Sequence, residues 1–224
     1  MNLSKSYEFF RPDMCKERIH IIGCGSVGST LAELLVRFGL TKISLYDFDI
    51  VEPHNLVNQM FVQADVGKRK IDAVAERLKA INPLVEADVR KIPDGWKPGT
   101  RMTGYVFLAV DNIELRHKIV TENMYNPLIK GMFDFRTRLV DAQHYAADWS
   151  NRRHKECFVR SMEFTHEEAV AATPVSACNV ALSVAPTVWN VCLAGVCNFI
   201  NFTKGEELKK NVLVNPFAGT VYTI

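Results

Sequence analysis

Apolar positions along the chain fall into two periods that take turns from one end to the other. Apolar runs at 18–23, 42–47 and 104–110 read as strands, and the unbroken run at 104–110 has the pattern of a central parallel strand. Between them helical spacing takes over. Val27, Leu31, Leu34, Leu35 and Phe38 share one face of a helix predicted over 26–38, and Ile71, Val74, Ala75, Leu78 and Ile81 one face of a second over 68–81. Gly39 stops the first helix and Pro83 the second. A strand is predicted at 84–89, then turns at 93–99, and a helix from a cap at Asp111 and Asn112 to about residue 125. Residues 128–135 and 138–145 alternate like strands, whereas 148–173 is polar and reads as a long irregular loop holding His154, Cys157 and His166. An apolar helix follows at 177–202, and a hairpin closes the chain, its strands at 211–215 and 220–224. Residues 1–17 form an arm whose Tyr7, Phe9 and Phe10 are expected to dock on something. The fold class is α/β: a Rossmann-like, mainly parallel sheet with flanking helices and an antiparallel C-terminal extension, one domain over 1–224.

Composition narrows the class without changing it. The 224 residues are 48% hydrophobic and 23% charged, which suits a globular chain with a sizeable core. A formal charge of +2 gives no ground for a nucleic-acid partner. The segment 177–202 is interrupted by Pro186 and by Asn179, Asn190, Asn198 and Asn201, so it reads as a buried helix rather than a membrane span. The six cysteines, Cys15, Cys24, Cys157, Cys178, Cys192 and Cys197, show no Cys-x-x-Cys spacing, so no zinc is expected. Scattered thiols and a start without an apolar leader segment point to the cytoplasm.

Candidate chemistry begins at Gly23-Cys24-Gly25-Ser26-Val27-Gly28, a G-x-G-x-x-G that follows a strand and opens a helix. Glycine lets backbone approach a phosphate, and a helix N-terminus offers free N–H groups and positive dipole charge. Asp47, 19 residues after Gly28, stands where a ribose-binding carboxylate belongs. Three constellations follow. Asp47 and Asp49 lead through Glu52 and Pro53 to Asn55, two carboxylates and an amide where a dinucleotide site needs one carboxylate, and suited to ribose with triphosphate or Mg2+. Gly67-Lys68-Arg69-Lys70 puts cations at a helix N-terminus, where a bound anion would explain them, with Lys70 the best phosphate ligand. Asp111-Asn112, with Arg116, stands at the carboxyl end of a parallel strand, where open α/β sheets bind ligands. There Asp111 could hold Mg2+, and the pair could equally serve as a helix cap.

In this order the motifs resemble the ThiF/MoeB family and the adenylation domains of ubiquitin-activating enzymes. The glycine loop matches, as do Asp47, Asp49, Val51, Asn55, Leu56 and Gln59 of a D-x-D-x-V-x-x-x-N-L-x-R-Q signature, the Gly67–Lys70 segment, and Asp111, Asn112 and Arg116 of a T-D-N-x-x-x-R segment. The resemblance implies ATP-dependent adenylation of the C-terminal glycine carboxylate of a ubiquitin-like or sulfur-carrier protein ending in Gly-Gly, with release of pyrophosphate. It implies ribose on Asp47, phosphates on the loop (Gly23, Gly25, Ser26, Gly28), Asn55 and Lys70, support from Gln59, and Mg2+ on Asp111. It also implies a homodimer in which Arg11, on the arm, serves the partner's site in trans.

The chain departs from the family pattern at Asn58, where the signature has an arginine, which removes a bidentate phosphate donor. Arg69 could compensate. Cys178 stands where some relatives carry a thioester or persulfide cysteine, with Cys157 its rival, and for both an inert buried thiol is the plainer reading. Two other functions stay open. One is a degenerate relative that binds nucleotide or a partner protein without catalysis, favoured by Asn58. The other is an NAD(P)-dependent oxidoreductase, which leaves Asp49, Asn55, Gln59 and Lys70 unexplained.

Overall fold

The computed structural model describes all residues except 172, 177–180 and 224. In chain order the elements are β1 (Ile19–Ile22), α1 (Ser26–Arg37), β2 (Ile43–Tyr46), α2 (Lys70–Ile81), α3 (Val85–Asp88), β3 (Arg90–Ile92) and β4 (Gly104–Leu108). Then come α4 (Ile113–Glu122), β5 (Ile129–Thr137), β6 (Ala142–Asp148), α5 (Arg152–Arg160), α6 (His166–Ala171), α7 (Ala185–Thr203), β7 (Asn211–Asn215) and β8 (Thr220–Thr223). The strands form one eight-stranded sheet in the order β3-β2-β1-β4-β5-β6-β7-β8. Pairing is parallel from β3 to β5 and antiparallel from β5 to β8. The Rossmann-like expectation and its antiparallel extension are both met.

Each face of the sheet buries its own core. α1, α2 and α7 cover one face over Ile21, Leu45, Phe107, Phe133 and Phe199, where the rings of Phe107 and Phe133 stack at 4.9 Å and Phe199 meets each edge-on. α4 and α5 cover the other over Ile22, Val106, Leu108, Met132 and Trp149. β1 and β4 are adjacent yet feed helices to opposite faces, so the order reverses between them and opens a crevice at their carboxyl ends.

Three parts of the chain differ from the sequence expectation. The run 84–89 is not a strand. Asn82 Oδ1 accepts from Leu84 N and the Pro83 carbonyl from Glu86 N, which winds the chain into α3, while the charged stretch Arg90–Ile92 pairs with β2 as an exposed edge strand. The stretch expected to be an irregular loop holds two helices, α5 and α6. α5 escapes a periodicity reading because Phe158 is its one buried side chain, and its signal is the cap, Asn151 Oδ1 accepting from Arg153 N and His154 N. The apolar helix begins at Ala185, with Pro186 in its first turn where the missing N–H costs nothing. Among the described residues, no helix is long and apolar enough to cross a membrane.

The N-terminal arm docks on its own domain. Phe10 is buried and packs edge-on against Phe38 at the end of α1, at the end of the sheet opposite the crevice, whereas Tyr7 and Phe9, expected to dock with it, stay exposed. α5 runs up from the foot of β6 and ends at Ser161, held by Arg136 beside the carboxyl end of β5. Thr187 at the start of α7 donates to the Leu139 carbonyl in the β5–β6 turn. The connection from α5 to α7 therefore starts and ends at the end of the sheet where the crevice opens.

Candidate functional site

The crevice is built outward from the turn after β1. Gly23 has φ +94°, and a Cβ on it would sit 2.8 Å from the Ala109 carbonyl oxygen of the neighbouring strand. A Cβ on Gly28 would sit 1.8 Å from the Gly23 carbonyl oxygen. These two glycines are required by the chain's own packing. Gly25 is different: a Cβ there meets nothing within 4 Å. Gly25 is also the N-cap of α1, and among the described residues no side-chain cap satisfies the first-turn N–H groups at this end of the helix. Ser26 is half-buried in the same turn. This is a cradle with space on its ligand side, the geometry an oxyanion needs.

Asp47 organises the next layer. Its Oδ2 accepts from Cys24 N at 2.6 Å and its Oδ1 from Asp49 N at 2.8 Å, tying the glycine turn to the loop after β2. Burial raises the Asp47 carboxyl above its ordinary value, against the pull of those two N–H donors and of Lys70. The Lys70 segment is zipped to the same loop, with Val51 N donating to Lys68 O at 2.8 Å and Lys70 N to Asp49 O at 2.9 Å. The side chain of Lys70 is buried, with Nζ 2.7 Å from Asp49 Oδ2. Sequence motifs more than twenty residues apart thus converge on one network.

Asn55 and Gln59 lie on and just beyond the short 3-10 helix Pro53–Val57. Asn55 Oδ1 accepts from Glu52 N at 2.9 Å, which leaves its amide nitrogen as the group for a ligand. Among the described residues Gln59 Oε1 is buried with no partner, and the neighbouring Met60 N donates to Ser29 Oγ in the first turn of α1. An orphaned buried carbonyl oxygen beside a helix N-terminus is an acceptor waiting for a donor. Asn58 points its amide to the Ser183 carbonyl, 3.5 Å away. Arg69 is exposed, and its charge falls on Asp94, one of the influences that lower that carboxyl after Lys97.

On the β4 side of the crevice Asp111 is exposed. Asn112 is the N-cap of α4, its Oδ1 accepting from Leu115 N at 2.8 Å. Arg116 turns inward: it is buried and paired with Asp134. Arg11 is exposed beside Asp13, at 3.7 Å, at the end of the sheet opposite the crevice. From there it cannot serve the site of its own chain. Cys178 lies outside the described residues. Cys157 is exposed on α5, which corrects the expectation of a buried thiol there. Cys24 is buried in the glycine turn, and burial pushes its thiol well above the ordinary value, so it is inert at neutral pH. A surface hollow of about 220 Å³ lies beside Cys15 and Gly39, and one of about 460 Å³ lies along α2 and the β3 edge, with Lys68 and Arg69 in its lining.

Sequence reasoning passed over Asp134 and Arg136. The signal was there: a carboxylate inside the apolar run Met132-Phe133-Asp134-Phe135 has to find a buried partner.

A ThiF family model matches residues 9–218. Ubiquitin-like modifier-activating enzyme 5 of Drosophila willistoni is 31% identical over 135 residues, covering 53% of this chain and 32% of the relative. The protein of the same name from Bombyx mori is 34% identical over 135 residues, covering 54% and 33%. The chain thus matches about a third of the length of these curated relatives. Among solved structures, PaaA superposes with a TM-score of 0.74 at 16% identity, over 95% of this chain and 74% of that one. MccB of E. coli, in the structure described as MccB + ATP, superposes with a TM-score of 0.68 at 17% identity, over 95% and 65%. At such identities the likeness is one of fold.

Proposed function

The chain belongs to the ThiF family, and on that premise we propose that it is an adenylyltransferase that binds ATP with Mg2+ in the crevice. Its second substrate is the C-terminal glycine carboxylate of a small ubiquitin-like or sulfur-carrier protein ending in Gly-Gly, which is adenylated as pyrophosphate leaves. The names of the curated relatives support this reading, as does the fold shared with MccB, a protein whose solved structures include one with ATP. The observation that carries it is the open face of Gly25 at the uncapped start of α1, with Asp47 and Lys70 locked beside it.

Each group has a physical task. The free N–H groups of α1 and the Lys70 ammonium face the polyphosphate, and the Asn55 and Gln59 amides fix its position. Asp47 uses one lone pair of each oxygen on backbone N–H groups, which leaves the others to accept from ribose hydroxyls. No protein nucleophile is required, because the partner's carboxylate attacks the α-phosphate. Lys70 is neutralised by Asp49 and Arg116 by Asp134, so Asp47 and Asp111 leave the crevice short of positive charge. Among the described residues no three metal-ligating side chains converge, so Asp111 would share Mg2+ with the phosphates themselves. Mg2+, when bound, supplies the missing positive charge to the polyphosphate and to the departing pyrophosphate.

The homodimer belongs to the same proposal. α7 exposes Trp189, Leu193 and Cys197 at helical spacing, an apolar stripe for a second copy, and Arg11 could reach a site only on a neighbouring molecule. One observation favours a second reading, a non-catalytic relative: Asn58 brings no charge and is occupied with Ser183. The two readings separate when the protein is mixed with ATP, Mg2+ and a carrier ending in Gly-Gly. Intact-mass detection of an AMP adduct on the carrier supports catalysis. ATP binding with no adduct on any such carrier overturns it and leaves the second reading.

A further inference from the structure

The buried ion cluster beneath the crevice has no task in the chemistry above. Asp134 on β5 is fully buried and pairs with Arg116 from α4 through one oxygen and with Arg136 through the other, at 2.6 Å. Arg116 spends its remaining donors on backbone oxygens: Nε on the Val110 carbonyl at 2.6 Å, its second terminal nitrogen on the same oxygen, and Nη1 on Phe135 O at 2.7 Å. Val110 lies past the end of β4, where its carbonyl has no ladder partner, and the next residue is Asp111. Arg136 reaches the other way. It donates to the Ser161 carbonyl at 2.5 Å and to Ser161 Oγ at 2.9 Å, with its guanidinium over the Tyr145 ring at 4.4 Å. Ser161 is the last residue of the α5 turn, from which the chain sets out towards α7.

Burying three charges is expensive, and a fold needing only stability does as well with apolar side chains there. What an apolar replacement cannot do is fix two backbone segments in register with each other. We propose that Arg116, Asp134 and Arg136 form a positioning triad that holds the Asp111 loop and the start of the α5–α7 connection in one fixed relation. Asp134 is the hinge pin, Arg116 sets the Val110 carbonyl and hence the direction of Asp111, and Arg136 sets Ser161. Its consequence for Mg2+ rests on the proposed function. The structural coupling does not.

Hydrogen exchange and Mg2+ titration of ATP binding test it together. Arg116→Lys keeps the charge but loses the fork, and is expected to speed exchange at 109–112 alone. Arg136→Lys is expected to speed it at 161–164 alone. Asp134→Asn speeds both, by at least about tenfold, with the remaining sheet amides unchanged. The same variant raises the Mg2+ concentration for half-maximal ATP binding about tenfold, as loss of an outer-shell support does, and leaves adenosine affinity alone. Exchange that rises evenly through the sheet, or an unchanged Mg2+ requirement in Asp134→Asn, overturns the proposal. Should Asp134→Asn not fold, the two lysine variants decide it by the segments they loosen. If the wild-type protein binds no ATP at any Mg2+ concentration, the proposed function fails, and the exchange pattern still decides the triad.

Discussion

Exchanging glycine for alanine at two positions of one turn separates what the fold needs from what the ligand needs. In Gly28→Ala the added Cβ would lie 1.8 Å from the Gly23 carbonyl oxygen and 3.2 Å from Ile21 Cγ2. Backbone is the obstacle, so the turn has to move, and the expected cost is about 1–3 kcal/mol or more. In Gly25→Ala nothing lies within 4 Å of the added Cβ, and φ, at −76°, is outside the left-handed region that Gly23 occupies. Alanine loses up to about 1 kcal/mol as an N-cap, and with no backbone in its way the variant should lose less stability than Gly28→Ala. The methyl group nevertheless occupies the space left for phosphate. A displacement costing about 1.4–2.8 kcal/mol weakens ATP about 10- to 100-fold. Urea unfolding and calorimetric titration with ATP and Mg2+ measure both quantities on each variant. Gly25→Ala binding ATP as tightly as the wild type would refute the assignment of that space to the nucleotide.

Other expectations follow from the same contacts. Lys70→Ala and Asp111→Ala should each abolish adenylation, at least about 100-fold in rate, while the far-UV spectrum and melting curve stay close to wild type; full activity in either removes that residue from the site. Gly195→Ala places a methyl 2.2 Å from the Phe135 ring, which is itself buried, and should cost about 1–3 kcal/mol in urea unfolding; unchanged stability would contradict it. Burial holds His20 and His144 neutral, at about 4 against the ordinary 6.5. The unfolded chain therefore binds protons first as pH falls, and stability present above about 6.5 drains away towards about 4. Between pH 7 and pH 5 the loss should be roughly 2 kcal/mol per imidazole, and His144→Gln should remove its share; equal stability at the two pH values would contradict it.

The first half of the chain was legible because its local signals agree. The apolar run of β1, the glycines after it, the helical period of α1 and the acid at 47 all point to one βαβ unit, and the structure joins Asp47 to the glycine turn as that unit requires. Legibility failed where stability comes from a few long-range contacts. α5 carries one buried side chain, and the segment at 84–89 looked extended until Asn82 and Pro83 wound it into a helix. In the site, residue types were readable and their pairings were not. Lys70 is a cation in the sequence and half of an ion pair in the fold, and Arg116 belongs to the core. Spacing along a chain cannot say which neighbour from another strand will neutralise a charge.

ATP–pyrophosphate exchange in the presence of a small protein ending in Gly-Gly tests the central claim most directly. The account predicts exchange that needs both Mg2+ and the carrier's intact C-terminus and disappears in Lys70→Ala. Exchange that ignores the carrier, or a protein that binds no ATP in the presence of Mg2+, would contradict it.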